Sequence, residues 1–229
     1  MIDLVIFDCD GTLVDSESIA ARVTADLFQD LGVALTPEEA FHTFLGLDHD
    51  AARALAERRY GLTFPADYDA RAEARMSAAL DRDLRALPGI PKLLAGLALP
   101  FCVASNSSAR RLRRTLMVSG LAPYFGERVF SVTDVARGKP APDLFLHAAR
   151  AMGVMPGRCL VIEDSVAGVT GAAAAGMRVA GFCGGGAHGP DHADRLTRAG
   201  AAHILWNADA VADLIALLSA PAEATGTRP

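Results

Sequence analysis

The sequence predicts an α/β protein, a Rossmann-like parallel sheet interrupted after its first strand by an all-helical insert. From residue 101 onward, short apolar runs of strand length alternate with segments of helix length, the pattern of a parallel sheet wound by right-handed crossovers with helices on both faces. Residues 16–84 break that alternation: they hold no convincing strand, and a structureless loop of this length inside a compact domain is implausible. That stretch must hold structure of its own. The length of 229 residues agrees, being more than one typical domain and less than two.

The first strand is expected over residues 2–7, a short β-branched and aromatic run flanked by acids. The insert then reads as four helices. One covers 17–31, with Ile19, Val23, Leu27 and Leu31 on one face and Gly32 as its stop; the second is opened by Thr36-Pro37-Glu38-Glu39, with capping-box spacing and proline in its first turn. A third spans 48–60 and stops at Gly61, and a fourth runs from Ala66 to about Arg82. Pro88-Gly89 and a short helix over 91–97 return the chain to the sheet. Later strands are expected at 101–104, 129–132, 160–162, 179–182 and 203–206, with helices at 109–118, 144–152, 166–175 and 191–199. The expected partition is core 1–15, helical insert 16–84, core 85–219 and a frayed tail 220–229.

Composition excludes several classes of function. With 51% hydrophobic and 21% charged residues the chain is neither disordered nor fibrous. Acids outnumber Lys plus Arg by 27 to 22, which leaves no electrostatic footprint for nucleic acid or an anionic membrane, although a local site for a small anion stays open. Lysine itself is rare, with only Lys92 and Lys139. Cys9, Cys102, Cys159 and Cys183 form no CxxC pair, so neither a zinc knuckle nor a dithiol centre is written; free thiols in a reducing cytoplasm are expected. The first residues lack the basic region of a signal peptide, and the apolar stretch 165–177 is too short to span a bilayer.

Chemistry gathers at strand ends. In Asp8-Cys9-Asp10-Gly11-Thr12, residues i and i+2 of an extended chain point the same way, which puts two carboxylates over the C-terminal edge of the sheet. Two such acids repel unless a cation sits between them or one holds a proton, and a hard ion such as Mg²⁺ suits them. Gly11 permits the sharp turn and exposes an N–H, although Asp-Gly is also an ordinary turn signal. The next strand ends in Ser105-Asn106-Ser107-Ser108, either an anion site at a helix start or a simple N-cap. Lys139, between Gly138 and Pro140, can approach a carboxylate and a phosphate together, or be a solvated loop lysine. Glu163-Asp164 follows an apolar run and leads into a helix, which Asp164 could cap instead of binding metal.

These four sites, in this order, resemble the four motifs of the haloacid dehalogenase (HAD) superfamily, and residues 16–84 fall where its β-phosphoglucomutase and sugar-phosphatase branch inserts a helical cap. The likeness covers essentially the whole chain. It is strongest to bacterial phosphatases of the 6-phosphogluconate type, through 7–17, Pro37-Glu38-Glu39, Val103-Ala104-Ser105-Asn106 and 163–168. The resemblance implies a HAD-like fold and a Mg²⁺-dependent phosphomonoesterase acting on a small phosphorylated sugar or sugar acid. Asp8 would be the nucleophile that forms an aspartyl-phosphate, and Asp10 the general acid and then base. Asp8, the Asp10 carbonyl, Asp164 and, through water, Glu163 would hold Mg²⁺. Ser105, the Asn106 N–H and Lys139 would hold the phosphoryl oxygens, and the cap would close over them.

A β-phosphoglucomutase of this branch carries Lys before the cap glycine and Arg three residues after it; around Gly46 this chain has Leu45 and His49, which favours the hydrolase over the mutase. His49 or Arg53 could substitute there, and Arg22, His42 and Arg71 are further candidates for contact with substrate. A dinucleotide-binding module is the competing class: Gly184 to Gly189 satisfies GxGxxG, but Pro190 stands where its helix should begin. His188 and His192 read as exposed loop residues, and Arg110, Arg111, Arg113 and Arg114 as a solvated helix face. The expected partner is a small-molecule phosphate ester, with no nucleic acid and no membrane, for a monomer or weak homodimer.

Overall fold

The computed structural model describes residues 1–44, 47, 49–185 and 191–220. Strand β1 (Leu4–Phe7) is followed by α1 (Glu17–Asp30), α2 (Pro37–Phe44), α3 (His49–Tyr60), α4 (Tyr68–Asp83) and α5 (Ile90–Gly96) before β2 (Phe101–Ser105). The chain continues through α6 (Ala109–Val118), α7 (Ala122–Phe125), β3 (Val129–Ser131), α8 (Asp143–Ala151), β4 (Cys159–Glu163) and α9 (Val166–Ala174). It ends with β5 (Arg178–Phe182), α10 (His192–Ala199), β6 (His203–Leu205) and α11 (Ala208–Ser219). All six strands are parallel, in the order β3-β2-β1-β4-β5-β6. This is the expected α/β architecture.

The centre of the sheet is β1, and both of its faces are covered. Val5 and Phe7 enter one apolar cluster, Leu4 and Ile6 the other, so the strand reads as an unbroken hydrophobic run. It begins at Leu4, not at Ile2, because Ile2 and Asp3 give their N–H groups to Leu218 and Arg158 outside the ladder. The expected strand 129–132 is shorter as well. Ser131 caps a 3₁₀ turn, its hydroxyl accepting the Thr133 N–H at 3.1 Å while Asp134 accepts the Ser131 N–H at 2.8 Å. Strand β6 stops at Leu205, and Asn207 caps α11 by accepting the Ala210 N–H at 2.9 Å. The sequence reading named no helix there.

In the insert, Thr36 and Glu39 exchange the two hydrogen bonds of a capping box, at 2.8 and 3.1 Å. Ile19, Val23 and Leu27 of α1 and Ala79 of α4 pack into the same cluster as Val5 and Phe7, which seats these two helices on the sheet. A smaller centre lies beyond them. There the Phe28 ring meets those of Phe44 at 5.1 Å and Tyr60 at 5.8 Å, contacts worth about 0.5–1.5 kcal/mol each beyond burial. All four cysteines are free thiols, three of them buried. Among the described residues no helix is long and apolar enough to cross a membrane.

Candidate active site

Asp8 extends the ladder of β1 by one residue, its N–H donating to the Ile162 carbonyl at 2.9 Å. The chain then coils tightly, with the Cys9 carbonyl accepting the N–H groups of Leu13 at 2.9 Å and Val14 at 3.2 Å. Gly11 makes this possible twice over. Its φ of 81° lies in the left-handed region, and a Cβ on it would fall 2.0 Å from an Asp164 carboxylate oxygen. Strand order reverses at β1, so the ends of β2 and β4 flank this loop at the edge where open α/β sheets bind ligands.

Asp8, Glu163 and Asp164 are buried there, with a carboxylate oxygen from each within 4.8 Å of the others. The Lys139 ammonium donates to Asp8 Oδ1 and, at 2.7 Å, to Glu163 Oε2, and lies 5.0 Å from the centre of the Phe145 ring. Lys139 is therefore no solvated loop residue. Asn106 holds its backbone: the Lys139 N–H donates to Asn106 Oδ1 at 2.9 Å, and Asn106 Nδ2 donates to the Lys139 carbonyl at 3.0 Å. Glu163 is fixed from behind by the N–H of Ser165 at 3.1 Å and its hydroxyl at 2.7 Å. Ser165 caps α9 through the Gly168 N–H, which frees Asp164 from that duty; Thr12 donates to Asp164 at 3.1 Å instead. In the same way Ser108 caps α6, and Ser105 stays buried at the end of β2, accepting the Ser107 N–H at 3.0 Å.

The charges do not balance. Burial pushes the Asp8 carboxyl well above the ordinary carboxylate range, Glu163 adds to it, and Lys139 only partly opposes them. Asp164 is driven up by burial and then by Asp8, Glu163 and Glu17. Burial works against the Lys139 ammonium too, but Asp8 and Glu163 outweigh it and hold the proton firmly. Three crowded carboxylates facing one ammonium fit a hard divalent cation, whose oxygen ligands this cluster supplies.

Asp10 is set differently. Its side chain is 28% exposed against 10% for Asp8, and its carboxylate accepts the hydroxyls of Ser16 at 2.7 Å and Ser107 at 3.1 Å. It stands apart from the three-carboxylate cluster. Arg111 lies 3.9 Å from the Asp10 carboxylate. Ser16, Ser107 and Arg111 were not singled out from the sequence as site residues. The signals were spacing within loops, Ser107 two residues past Ser105 and Arg111 one helical turn past Ser108, and neither is distinctive before the loops are folded.

The candidates on the insert are occupied elsewhere. Arg53 faces Asp69 at 3.3 Å and Glu57 at 3.5 Å and lies 4.7 Å from the centre of the Phe64 ring; Arg71 pairs with Asp30 at 3.0 Å and Arg22 with Asp83. His42 is 4.0 Å from Glu38. Leu45, Gly46, His188 and Gly186 to Gly189 lie outside the described residues, as does the side chain of His49. Gly185 packs against the loop after Asp8, where a Cβ would meet the Gly11 carbonyl at 2.3 Å. His192 corrects an expectation: it is buried at the start of α10, and its ring is hydrogen-bonded to the Asp164 backbone, so it is no exposed loop residue. The arginine run is only partly a solvated face, since Arg114 grips Asp81 of α4 through two N–H groups.

Residues 2–176 match the sequence profile of the haloacid dehalogenase-like hydrolases. The chain belongs to that family. Among HAD hydrolases, the 6-phosphogluconate phosphatase of Escherichia coli K12 is 38% identical over 185 residues, covering 80% of this chain and 83% of its own. Hexitol phosphatase A of the same strain is 32% identical over 182 residues, covering 76% and 80%. A HAD family hydrolase from Deinococcus radiodurans R1, solved with bound phosphate and sodium, superposes with a TM-score of 0.87 at 36% identity, covering 96% of this chain and 99% of that one. This HAD hydrolase is thus an enzyme whose relatives are phosphatases of small phosphate esters.

Proposed function

We propose that the chain is a Mg²⁺-dependent phosphomonoesterase acting on a small phosphorylated sugar or sugar acid, with Asp8 as nucleophile, Asp10 as acid and base, and residues 16–84 as a cap over the site. The observation that carries this reading is the buried Lys139 ammonium bridging Asp8 and Glu163 beside Asp164. Such a cluster is built to receive one cation and one anion together. The 6-phosphogluconate and hexitol phosphatases among the relatives, and the phosphate bound to the Deinococcus protein, support the same substrate class.

Asp8 attacks phosphorus in line and takes the phosphoryl group as an acyl phosphate, while the alkoxide of the leaving group accepts a proton from Asp10. Ser16 and Ser107 keep the Asp10 carboxylate turned toward that oxygen. In the second half Asp10 recovers its proton from a water molecule, which attacks phosphorus and releases Asp8. Lys139, Ser105 and the Asn106 N–H orient the phosphoryl oxygens throughout. Asp8, Asp164 and the Asp10 carbonyl, with Glu163 through water, would hold a Mg²⁺ ion, which would supply charge compensation for the transfer. Asp8→Asn should lower turnover of any phosphomonoester by at least about a thousandfold. In a single turnover in ¹⁸O-water, label should enter phosphate and not the alcohol. Retained activity in Asp8→Asn, or label in the alcohol, overturns the assignment.

A further inference from the structure

Helices α4 and α6 face one another across a cleft of about 690 Å³ that the phosphoryl site does not use. One wall carries Arg110, Arg111 and Arg114, the other Asp69, Glu73 and Asp81. The charges are equal in number but are not paired one to one within the cleft. Arg114 takes Asp81 through two N–H groups, and Asp69 is already faced by Arg53 at 3.3 Å. Glu73 is left opposite two guanidinium groups. Among the described residues no side chain pairs with Arg110, and the Arg111 side chain reaches only Asp10, at 3.9 Å, too far for a hydrogen bond. Arg111 is also about half exposed, so its donors are unspent and free to turn.

Position gives these guanidinium groups a meaning, on the reading of the site proposed above. The leaving oxygen of the ester must lie at the Asp10 carboxyl, and Arg111 is the first cation beyond it. Ser108, on the same wall, adjoins Ser107, which donates to Asp10. The body of the leaving group therefore extends from Asp10 past Arg111 into the cleft. A guanidinium binds a carboxylate through two parallel N–H bonds, which a hydroxyl cannot match. We propose that Arg111, backed by Arg110, binds a carboxylate on the leaving group, so that the enzyme selects phosphate esters of sugar acids over those of neutral sugars and polyols.

The test uses a matched pair, 6-phosphogluconate and sorbitol 6-phosphate, which differ only in carboxylate against CH₂OH at the far end of one six-carbon chain. With Mg²⁺ present, kcat/KM for the wild-type enzyme should favour the acid by about tenfold or more. Arg111→Gln should shrink that ratio about tenfold, chiefly through KM for the acid, and Arg111→Lys should keep part of it. A ratio unchanged in Arg111→Gln, or a wild-type enzyme with no preference for the acid, overturns the proposal. So do equal losses on both substrates with a shifted pH profile, since Arg111 would then act through Asp10. An enzyme that hydrolyses neither substrate nor p-nitrophenyl phosphate overturns the phosphatase reading itself, whereas hydrolysis of both without discrimination overturns only the role of Arg111.

Discussion

Glu17, the first residue of α1, holds a carboxylate oxygen that is buried without a hydrogen-bond partner among the described residues, near Asp15 and Asp10. Burial, then Asp15 and Asp10, push its carboxyl from 4.5 up to about 7. The folded protein thus keeps a proton that the unfolded chain sheds, so stability declines as pH rises from 4.5 to about 7, and the loss is complete above that. In EDTA, Glu17→Gln should be more stable than wild type by about 2 kcal/mol at pH 8 and nearly equal to it at pH 4.5, measured by urea unfolding. No gain at pH 8 would mean the ionised carboxylate is better solvated than its surroundings suggest. Glu17 shows where single-residue reading ends. Asp8, Asp10, Ser105, Glu163 and Asp164 were legible because each stands at or beside the end of an apolar run, and Lys139 because it is one of two lysines and sits between Gly138 and Pro140. What Glu17, Ser16 and Arg111 touch depends on how loops fold back, and spacing does not encode it.

Between elements, the fit of α9 against β4 is set by one missing methyl group. A Cβ on Gly168 would lie 2.0 Å from the Glu163 carboxylate, which is 1% exposed and already held by Lys139 and Ser165. Helix propensity favours alanine here by about 1 kcal/mol, so the glycine serves close approach, not helix formation. Gly168→Ala should therefore push Glu163 off Lys139, with kcat/KM down at least about tenfold and the circular dichroism spectrum unchanged. Gly157→Ala, whose Cβ meets nothing within 4 Å, is the control and should behave as wild type. Equal activity in the two variants would mean Glu163 can give way at no cost. Elements with a sharp sequence signal were readable to the residue, as with α6, where Ser108 starts the helix and apolar spacing runs to Val118. The single turn α7 is too short for periodicity. Helix α11 was missed despite the Asn207 cap, because its apolar residues surround much of the helix and blur a face.

Over the whole molecule, the uncompensated cluster at the sheet edge should couple metal binding to folding. The cation site exists only when β1, the Lys139 loop and the end of β4 are assembled, so a ligand binding there stabilises the native state alone. At Mg²⁺ a hundredfold above its dissociation constant the gain is about 2.7 kcal/mol, which raises the melting temperature by roughly 5–10 °C in a chain of this size. Calorimetry in Mg²⁺, in EDTA, and in EDTA with NaCl added to match the ionic strength of the Mg²⁺ sample checks this; an equal melting temperature in all three would remove the cation from the cluster. Fold class was legible at this scale because strand and helix alternate in the sequence. The grip between α6 and α4 was not, since Arg114 belongs to a run that read as a solvated face and spacing does not bring it to Asp81, 33 residues away.

The sheet order has one more consequence, for synthesis. Strand β1, which leads into Asp8, leaves the ribosome before both strands it pairs with: Val5 pairs with Phe101 on one side and with Leu160 on the other. Neither neighbour exists while the insert is being made. A wholly apolar strand must wait with both edges unpaired until β2 has emerged and with one edge unpaired until β4 has, and such a strand is open to aggregation and to capture by chaperones. The nascent protein is thus most vulnerable at the segment on which its chemistry depends.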